Sequence, residues 1–378
     1  FSVAGQREDQ NQVTLDGLTI AGASVPQEAV RSTRVVTNTY DVARGQFTGG
    51  LVQTTTRGGT NDVAGSVSFA LRDPSLQFDD EEEGSTFTQT FTQHQLSGGV
   101  GGPIVKDRLF YFGSAQLRRQ FNPLQSLVGI DARTLQRLGA SPDSASRFLS
   151  TLGRFGLPAT VGAVPDDRLS DNASAIARID YQLNADHSLT LRGNVQGSQQ
   201  NGVRTSALSV PSYGGEQSSI GGGAMLSLSS VFGTMLNELR ASYSYNENHG
   251  DPYLVLPAGN VRVSSELDLA TTGAASGVTT LAFGGNPGLP TDGTNTQFEL
   301  TNELSLLSFG GHRWKIGTLV NYTGFSSFAS TNRFGSFAYN SLADFAADRP
   351  AQFTRTLTPR IRDGGALNAA VYVGDTWR

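Results

Sequence analysis

QLSGGVGGPIVKDRLFYFGSAQLRR, residues 95–119, decides the architecture. It reads as two strands joined by a tight turn. Lys106-Asp107 form a polar turn tip, and Gly101, Gly102 and Pro103 are expected to break the regular ladder just before it. After the turn, Leu109, Tyr111, Gly113, Ala115 and Leu117 share one face, while Phe110, Phe112, Ser114, Gln116 and Arg118 share the other. The first face is apolar or small, and the second becomes polar away from the turn. Aromatic residues crowd the turn end. A soluble sandwich buries them mid-strand, whereas a transmembrane barrel sets them in a girdle at the lipid–water interface.

The same unit recurs along the chain. Ala175, Ala177, Ile179, Tyr181 and Leu183 interleave with Ile176, Arg178, Asp180 and Gln182. Leu189, Leu191, Gly193 and Val195 interleave with Thr190, Arg192, Asn194 and Gln196. Later repeats carry Leu239 to Tyr245, Phe298 to Leu306, Trp314 to Tyr322 and Leu367 to Val373 on the apolar side. The pattern predicts about ten strands, each close to the ~9–11 residues that cross a membrane when tilted. They are expected near 63–72, 93–101, 108–119, 173–183, 188–198, 219–230, 235–246, 296–309, 313–323 and 366–377. Connections alternate in length. Short turns fall near 102–107, 184–187, 231–234 and 310–313. Long connections fall near 73–92, 120–172, 199–217, 247–295 and 325–364. An antiparallel hairpin array puts every long connection at one end, as transmembrane barrels do. A soluble sandwich has no reason to. Two helices are expected inside the long connections. One opens at Ser141-Pro142-Asp143 and runs to about Gly153; the other opens at Ser341 and stops before Pro350.

Composition narrows the function classes. The 378 residues include 45 glycines, only 16% charged residues and no cysteine, so there is neither a disulfide frame nor a thiolate metal site. The net charge of −5, with no basic cluster, argues against a nucleic-acid surface. Mean hydropathy is −0.24, a value that alternating strands produce as readily as a soluble protein does. No run reaches the ~18 apolar residues of a membrane helix. The chain opens at Phe1 without a basic or apolar leader, as expected of a fragment.

Residues 1–62 differ from the rest of the chain. Gln12 to Leu15 reads as a short strand ending in the turn Asp16-Gly17. Pro26 to Val30 reads as one helical turn, Arg34 to Thr39 and Leu51 to Thr56 as strands, and Arg57 to Asn61 as a glycine-rich turn. NQVTLDG (11–17) followed by VRSTRVVTNTYDVARGQFTGGLVQTTTRGGTND (30–62) resembles the C-terminal half of the plug domain of TonB-dependent outer-membrane receptors, in the branch with Oar-like barrels. SGGVGGPIVKDRLFYFGS (97–114), SLADFAADRP (341–350) and VYVGDTWR (371–378) resemble barrel segments of the same branch. RGQFTGG…TTTRGGTN and GGPIVKDRLFYF are the specific parts, and their order carries more than either alone.

The resemblance implies a mainly β fold. Residues 1–62 would be the C-terminal part of an α+β plug, and 63–378 the N-terminal part of an antiparallel transmembrane barrel. The complete barrel would have about twenty-two strands. It would sit in the outer membrane of a Gram-negative bacterium, with long extracellular loops and short periplasmic turns. The implied partners are outer-membrane lipid, an extracellular ligand of unknown identity, and a TonB-type energy-transducing complex acting on a segment N-terminal to Phe1. Plug-motif residues would be Arg44, Gly45, Gly49, Gly50, Arg57 and Gly58. On the polar strand faces, Arg178, Asp180, Arg192, Glu238, Arg240, Glu299 and Glu303 would line the lumen and touch the plug. Charges of both signs suit a hydrated interior.

No cofactor and no enzymatic activity are expected. The acidic run 79–83 lacks the spacing of a calcium loop. His94, His187, His249 and His312 are scattered, with His187 and His312 placed in short turns and His249 in a long loop. There is no GxSxG, P-loop or dinucleotide fingerprint in context. Two functions remain: active import through a plugged barrel, or a surface adhesin or interaction platform without transport.

Overall fold

The computed structural model describes residues 12–19, 25–36, 50–76, 91–269, 273–328 and 331–377. Arg44, Gly45, Gly49, the end of the strand expected at Arg34 to Thr39, and the acidic run 79–83 lie outside the described residues.

A small N-terminal sheet comes first. β1 (Gln12–Leu15) and β2 (Leu18–Thr19) form a hairpin around Asp16 and Gly17, with φ of 53° and 88°. Paired positive φ values are what a two-residue hairpin turn demands, and Asp-Gly supplies them at least steric cost. A 3₁₀ turn, Gln27–Ala29, leads into β3 (Val30–Val36), which pairs antiparallel with β4 (Leu51–Thr56). β4 also runs parallel to β1.

The main sheet comes next. β5 (Ala64–Arg72), β6 (Thr92–Val105) and β7 (Leu109–Pro123) lead to helices α1 (Ala132–Arg137) and α2 (Pro142–Arg154). Then come β8 (Asp167–Gln182), β9 (His187–Val203), β10 (Gly215–Phe232) and β11 (Met235–Pro252). β12 (Ala258–Leu269) and β13 (Gly273–Gly284) precede β14 (Thr291–Phe309) and β15 (His312–Phe328). β16 (Ser336–Tyr339), α3 (Leu342–Ala346), β17 (Gln352–Thr354) and β18 (Ile361–Trp377) complete the chain. Ten strands form one antiparallel sheet in the order β18-β15-β14-β11-β10-β9-β8-β7-β6-β5. All ten coincide with the strands expected from alternation.

The tight turns at 106–108, 184–186, 233–234 and 310–311 share one rim, and every long connection rises from the other. The outer face is bare. Val67, Leu117, Val195, Ile220, Leu367 and Val371 are each more than half exposed, and among the described residues no second sheet packs on them. A face this apolar is stable only in lipid. Aromatic belts mark its edges. At the turn rim, Arg108 caps Tyr181, His187 meets Phe232, and His312 stacks between Trp314 and Trp377. At the upper edge His94 packs between Phe69 and Phe121, and Arg119 pairs with Asp171 at 2.7 Å. Leu109 and Arg119 thus bracket a span close to the ~9–11 residues needed to cross.

Three expectations are corrected. Gly101, Gly102 and Pro103 do not interrupt the ladder: β6 pairs with β7 through all three, and the register shifts only between Pro103 and Val105. Proline is tolerated beside such a bulge. The glycines serve close approach, since a Cβ on Gly102 would sit 2.8 Å from Val63. Most strands are longer than a bilayer requires, up to 19 residues in β14, because the ladders continue above the lipid with polar residues on both faces. His249 accordingly lies in β11, not in a loop.

The long connections contain a third sheet, β13-β12-β16-β17, that the alternation did not reveal as barrel strands. It packs with α1, α2 and α3 around Phe148, Val261, Leu281, Phe283, Tyr339 and Phe345. Helix α2 starts as expected, with Ser141 Oγ accepting from Ser144 N–H at 3.1 Å. Ser341 caps α3 in the same way at 3.0 Å.

Candidate functional site

The N-terminal sheet sits against the inner face of the main sheet, and the contact is built in two layers. An apolar patch joins Leu15 and Ala29 to Phe112 and Ile176 of β7 and β8. Beside it lies a charged cluster centred on Asp16. The Asp16 carboxylate accepts from Thr56 N–H and Thr56 Oγ1, both at 2.8 Å, and from Arg192 Nη1 at 2.5 Å. Arg178 Nη1 stands 3.8 Å from the same carboxylate and donates to Thr56 Oγ1 at 2.9 Å.

The wall's register explains why an anion belongs there. Arg178 and Arg192 lie directly opposite each other on β8 and β9. Like charges at such a pair repel. Asp180 relieves part of this by holding Arg178 at 2.9 Å. Asp16 supplies the second negative charge and, among the described residues, is the ion-pair partner of Arg192. The Arg192 side chain is only 3% exposed and that of Asp16 9%, so the pair is shielded from water.

The other wall residues fall into place around this centre. Arg240 lies against Gly17, whose Cβ position would be 3.5 Å from its guanidinium, and is held by Glu238 at 2.8 Å. Glu238 faces Glu303 across the β11–β14 ladder, where Lys315 and Tyr372 Oη draw the Glu303 carboxylate to the far side. Glu299 is buried and accepts from Asn321 at 3.4 Å. Of the seven charged wall positions, Arg178, Asp180, Arg192 and Arg240 approach the N-terminal segment. Among the described residues, Glu238 engages Arg240, Glu299 accepts from Asn321, and Glu303 meets Lys315 and Tyr372, all on the wall. Gly58 packs so closely on β8 that a Cβ would meet Asp180 at 2.7 Å. Gly50 is buried. Arg57 turns back to its own sheet, its Nε donating to the Val30 carbonyl at 3.0 Å.

Sequence reading did not single out Asp16, Thr56, Glu28 or Asn61 as partners of the wall. Glu28 accepts from Ser66 Oγ at 2.6 Å, and Asn61 and the Asp107 turn exchange hydrogen bonds. Asp-Gly at a predicted hairpin tip gave the turn; nothing local told that its carboxylate faces two arginines.

At the upper rim, outside the lipid span, His249 sits between Asp251 and Asp292. Both carboxylates raise its pKa above the ordinary 6.5, Asp292 most. A raised value stabilises the fold fully below the ordinary pKa, and the contribution is lost as pH rises through the raised one. Protection factors of residues 245–252, with the intrinsic base catalysis of amide exchange divided out, are therefore expected to fall as pH rises from about 6 to 9, and His249→Gln to remove that fall. An unchanged profile in the variant would contradict the assignment.

A small sheet thus rests on the inner face of a ten-stranded antiparallel wall whose outer face is apolar. Residues 55–160 and 158–378 match the family model described as "Outer membrane beta barrel domain". The chain belongs to that family and is an outer-membrane protein of the Gram-negative type. Over 125 residues it is 30% identical to the TonB-dependent transporter Oar of Myxococcus xanthus, a match covering 29% of this chain and 12% of that one. Its fold is similar to the outer-membrane transporter YddB of Escherichia coli, with a TM-score of 0.63 and 12% identity over all of this chain and 48% of that one. It is also similar to a mutant of the ferric enterobactin receptor PfeA of Pseudomonas aeruginosa, with a TM-score of 0.58 and 12% identity over 99% of this chain and 48% of that one. The chain thus spans about half the length of these solved relatives. They are named as transporters and receptors, not enzymes.

Proposed function

We propose that residues 1–62 are the C-terminal part of a plug, that 63–378 are the first part of the barrel enclosing it, and that the intact protein imports an extracellular ligand with energy from a TonB-type complex. The observation that carries this reading is the burial of Asp16 between two opposed arginines of the wall. A permanent structural filler would be served better by apolar packing, because a buried ion pair gains little net stability over it. Discrete ionic and hydrogen-bonded contacts release as a unit once geometry is lost. Pulling on the chain ahead of the β1–β2 hairpin would break them and open a path along the wall. The long connections gather on one rim, where they meet the ligand first.

Uptake by cells of the outer-membrane ligand pool, measured with and without a proton-motive force, tests this. Gradient-dependent accumulation, lost on deletion of the gene, is expected. Binding without gradient-dependent accumulation would instead favour an adhesin or interaction platform.

A further inference from the structure

Above the Asp16 cluster the inner wall changes character. A cavity of about 340 Å³ opens between Leu18 of the β1–β2 hairpin and strands β9, β10, β11, β14 and β15. Eighteen residues line it, and Arg192 is the one charged residue among them. Its charge is already met by Asp16. The cavity's polar groups are uncharged otherwise, and five of them are side-chain amides: Asn194, Gln196, Asn246, Asn295 and Gln297. Register places them in adjoining rows, with Asn246 opposite Asn295 and Gln297 opposite Thr323.

Between those rows β10 carries glycine. Gly223 lies opposite Asn194 and Ser244, and Gly221 opposite Gln196 and Asn246. A Cβ at Gly221 would come within 2.7 Å of Asn246 Oδ1, so the bare backbone makes a recess flanked by amides. Among the described residues, Asn194, Asn295 and Gln297 spend no side-chain hydrogen bond on the protein. Each amide offers two donor hydrogens and an acceptor oxygen. Opposite Asn295 stands Phe325, 48% exposed. Its ring lies over Gly364, where a Cβ would be 2.7 Å from it, so glycine lets the ring lie flat against β18.

The geometry points to a neutral oligosaccharide as the ligand of this cavity, an inference that rests on the import reading above. Vicinal hydroxyls are donors and acceptors in pairs, which amides match in both roles. The C–H face of a sugar ring covers an aromatic plane. Carboxylates, phosphates and catecholates are held best by unpaired arginine or lysine, and the lining holds none among the described residues. A peptide would bind through alternate side-chain pockets or by adding to a free strand edge. Here each strand carrying the amides is paired on both sides.

The test uses the intact receptor in outer-membrane vesicles. Probes are maltohexaose, xylohexaose and cellohexaose, a neutral Gly/Ser/Asn hexapeptide, and a ferric tricatecholate. Saturable binding of at least one hexasaccharide is expected, changing less than about twofold between 0.05 and 0.5 M salt because no ion pair is involved. Phe325→Ala and Gln297→Ala should each weaken it at least tenfold, while the heat-modifiable mobility of the folded barrel stays as in the parent. Absence of binding to all three saccharides, binding of only the peptide or the tricatecholate, or saccharide binding indifferent to both substitutions would overturn the assignment. The import reading fails separately. A saccharide bound at this site but never accumulated with a proton gradient refutes transport and leaves the ligand class intact. Gradient-driven uptake of another solute, uncompeted by saccharide, does the reverse.

Discussion

Asp16→Ala releases the β1–β2 hairpin from the barrel wall. The substitution leaves Arg192, buried at 3% exposure, facing Arg178 with no carboxylate between them. Removing one partner of a buried pair costs ~3–5 kcal/mol, most of it the penalty of the charge left behind. Thr56 loses both of its hydrogen bonds to the same carboxylate. Hydrogen exchange of residues 13–15 should therefore accelerate by about two to four orders of magnitude, which is what that energy converts to. Protection within β8 and β9 should persist, since their ladders are backbone-made. Asp16→Asn separates charge from shape: it keeps the side chain's size and removes its charge. Pairing it with Arg192→Gln should recover part of the loss, because the uncompensated cation disappears too. Unaltered exchange in Asp16→Ala would mean that the apolar patch of Leu15, Ala29, Phe112 and Ile176 holds the segment unaided.

Phe148→Ala dismantles the external cap and spares the barrel. Phe148 is fully buried, with ring centroids 5.9 Å from Phe283 and 5.6 Å from Phe345. It joins α2 to the loop sheet and to α3, three segments far apart in sequence. A buried Phe→Ala change costs ~3–5 kcal/mol. The cap's core is small, with Phe345, Leu152, Leu281, Val210 and Val261 the other fully buried large side chains among the described residues, so that loss approaches what it can bear. Limited proteolysis should cut within 124–166 and 329–360 while the ten-stranded sheet stays intact and heat-modifiable. Simultaneous loss of the barrel would show that the cap and the wall fold as one unit.

The two substitutions differ in how visible their sites were in sequence. Barrel strands were legible because lipid on one side and water on the other impose strict alternation, as in Leu189, Leu191 and Val195 against Thr190, Arg192 and Asn194. Where both sides meet water the constraint vanishes. Gln120 and Asn122 therefore gave no sign that β7 continues to Pro123. The loop sheet did carry a signal, since Val261 and Val263 alternate, as do Leu281 and Phe283. It was masked by the glycine-rich, weakly apolar run between them. Helix starts at Ser141 and Ser341 were legible because capping is local chemistry. The Asp16 cluster was not, because it joins residues 176 positions apart, and only the register of β8 with β9 brings the two arginines face to face. Which wall charges the N-terminal segment would meet was equally a matter of its seating, not of spacing.

The orientation of the wall is the claim beneath all the others. The 378 residues contain no cysteine, so a cysteine introduced here is unique within them, and any cysteine elsewhere in the intact protein is first replaced by serine. Gly162 and Leu357 are exposed on long connections, and Lys106 and Thr234 on tight turns. Intact cells treated with a membrane-impermeant maleimide should be labelled at Gly162→Cys and Leu357→Cys. Lys106→Cys and Thr234→Cys should react only after the outer membrane is permeabilised. Labelling of all four positions in intact cells, or of the turn positions alone, would contradict a barrel that presents every long connection to the outside.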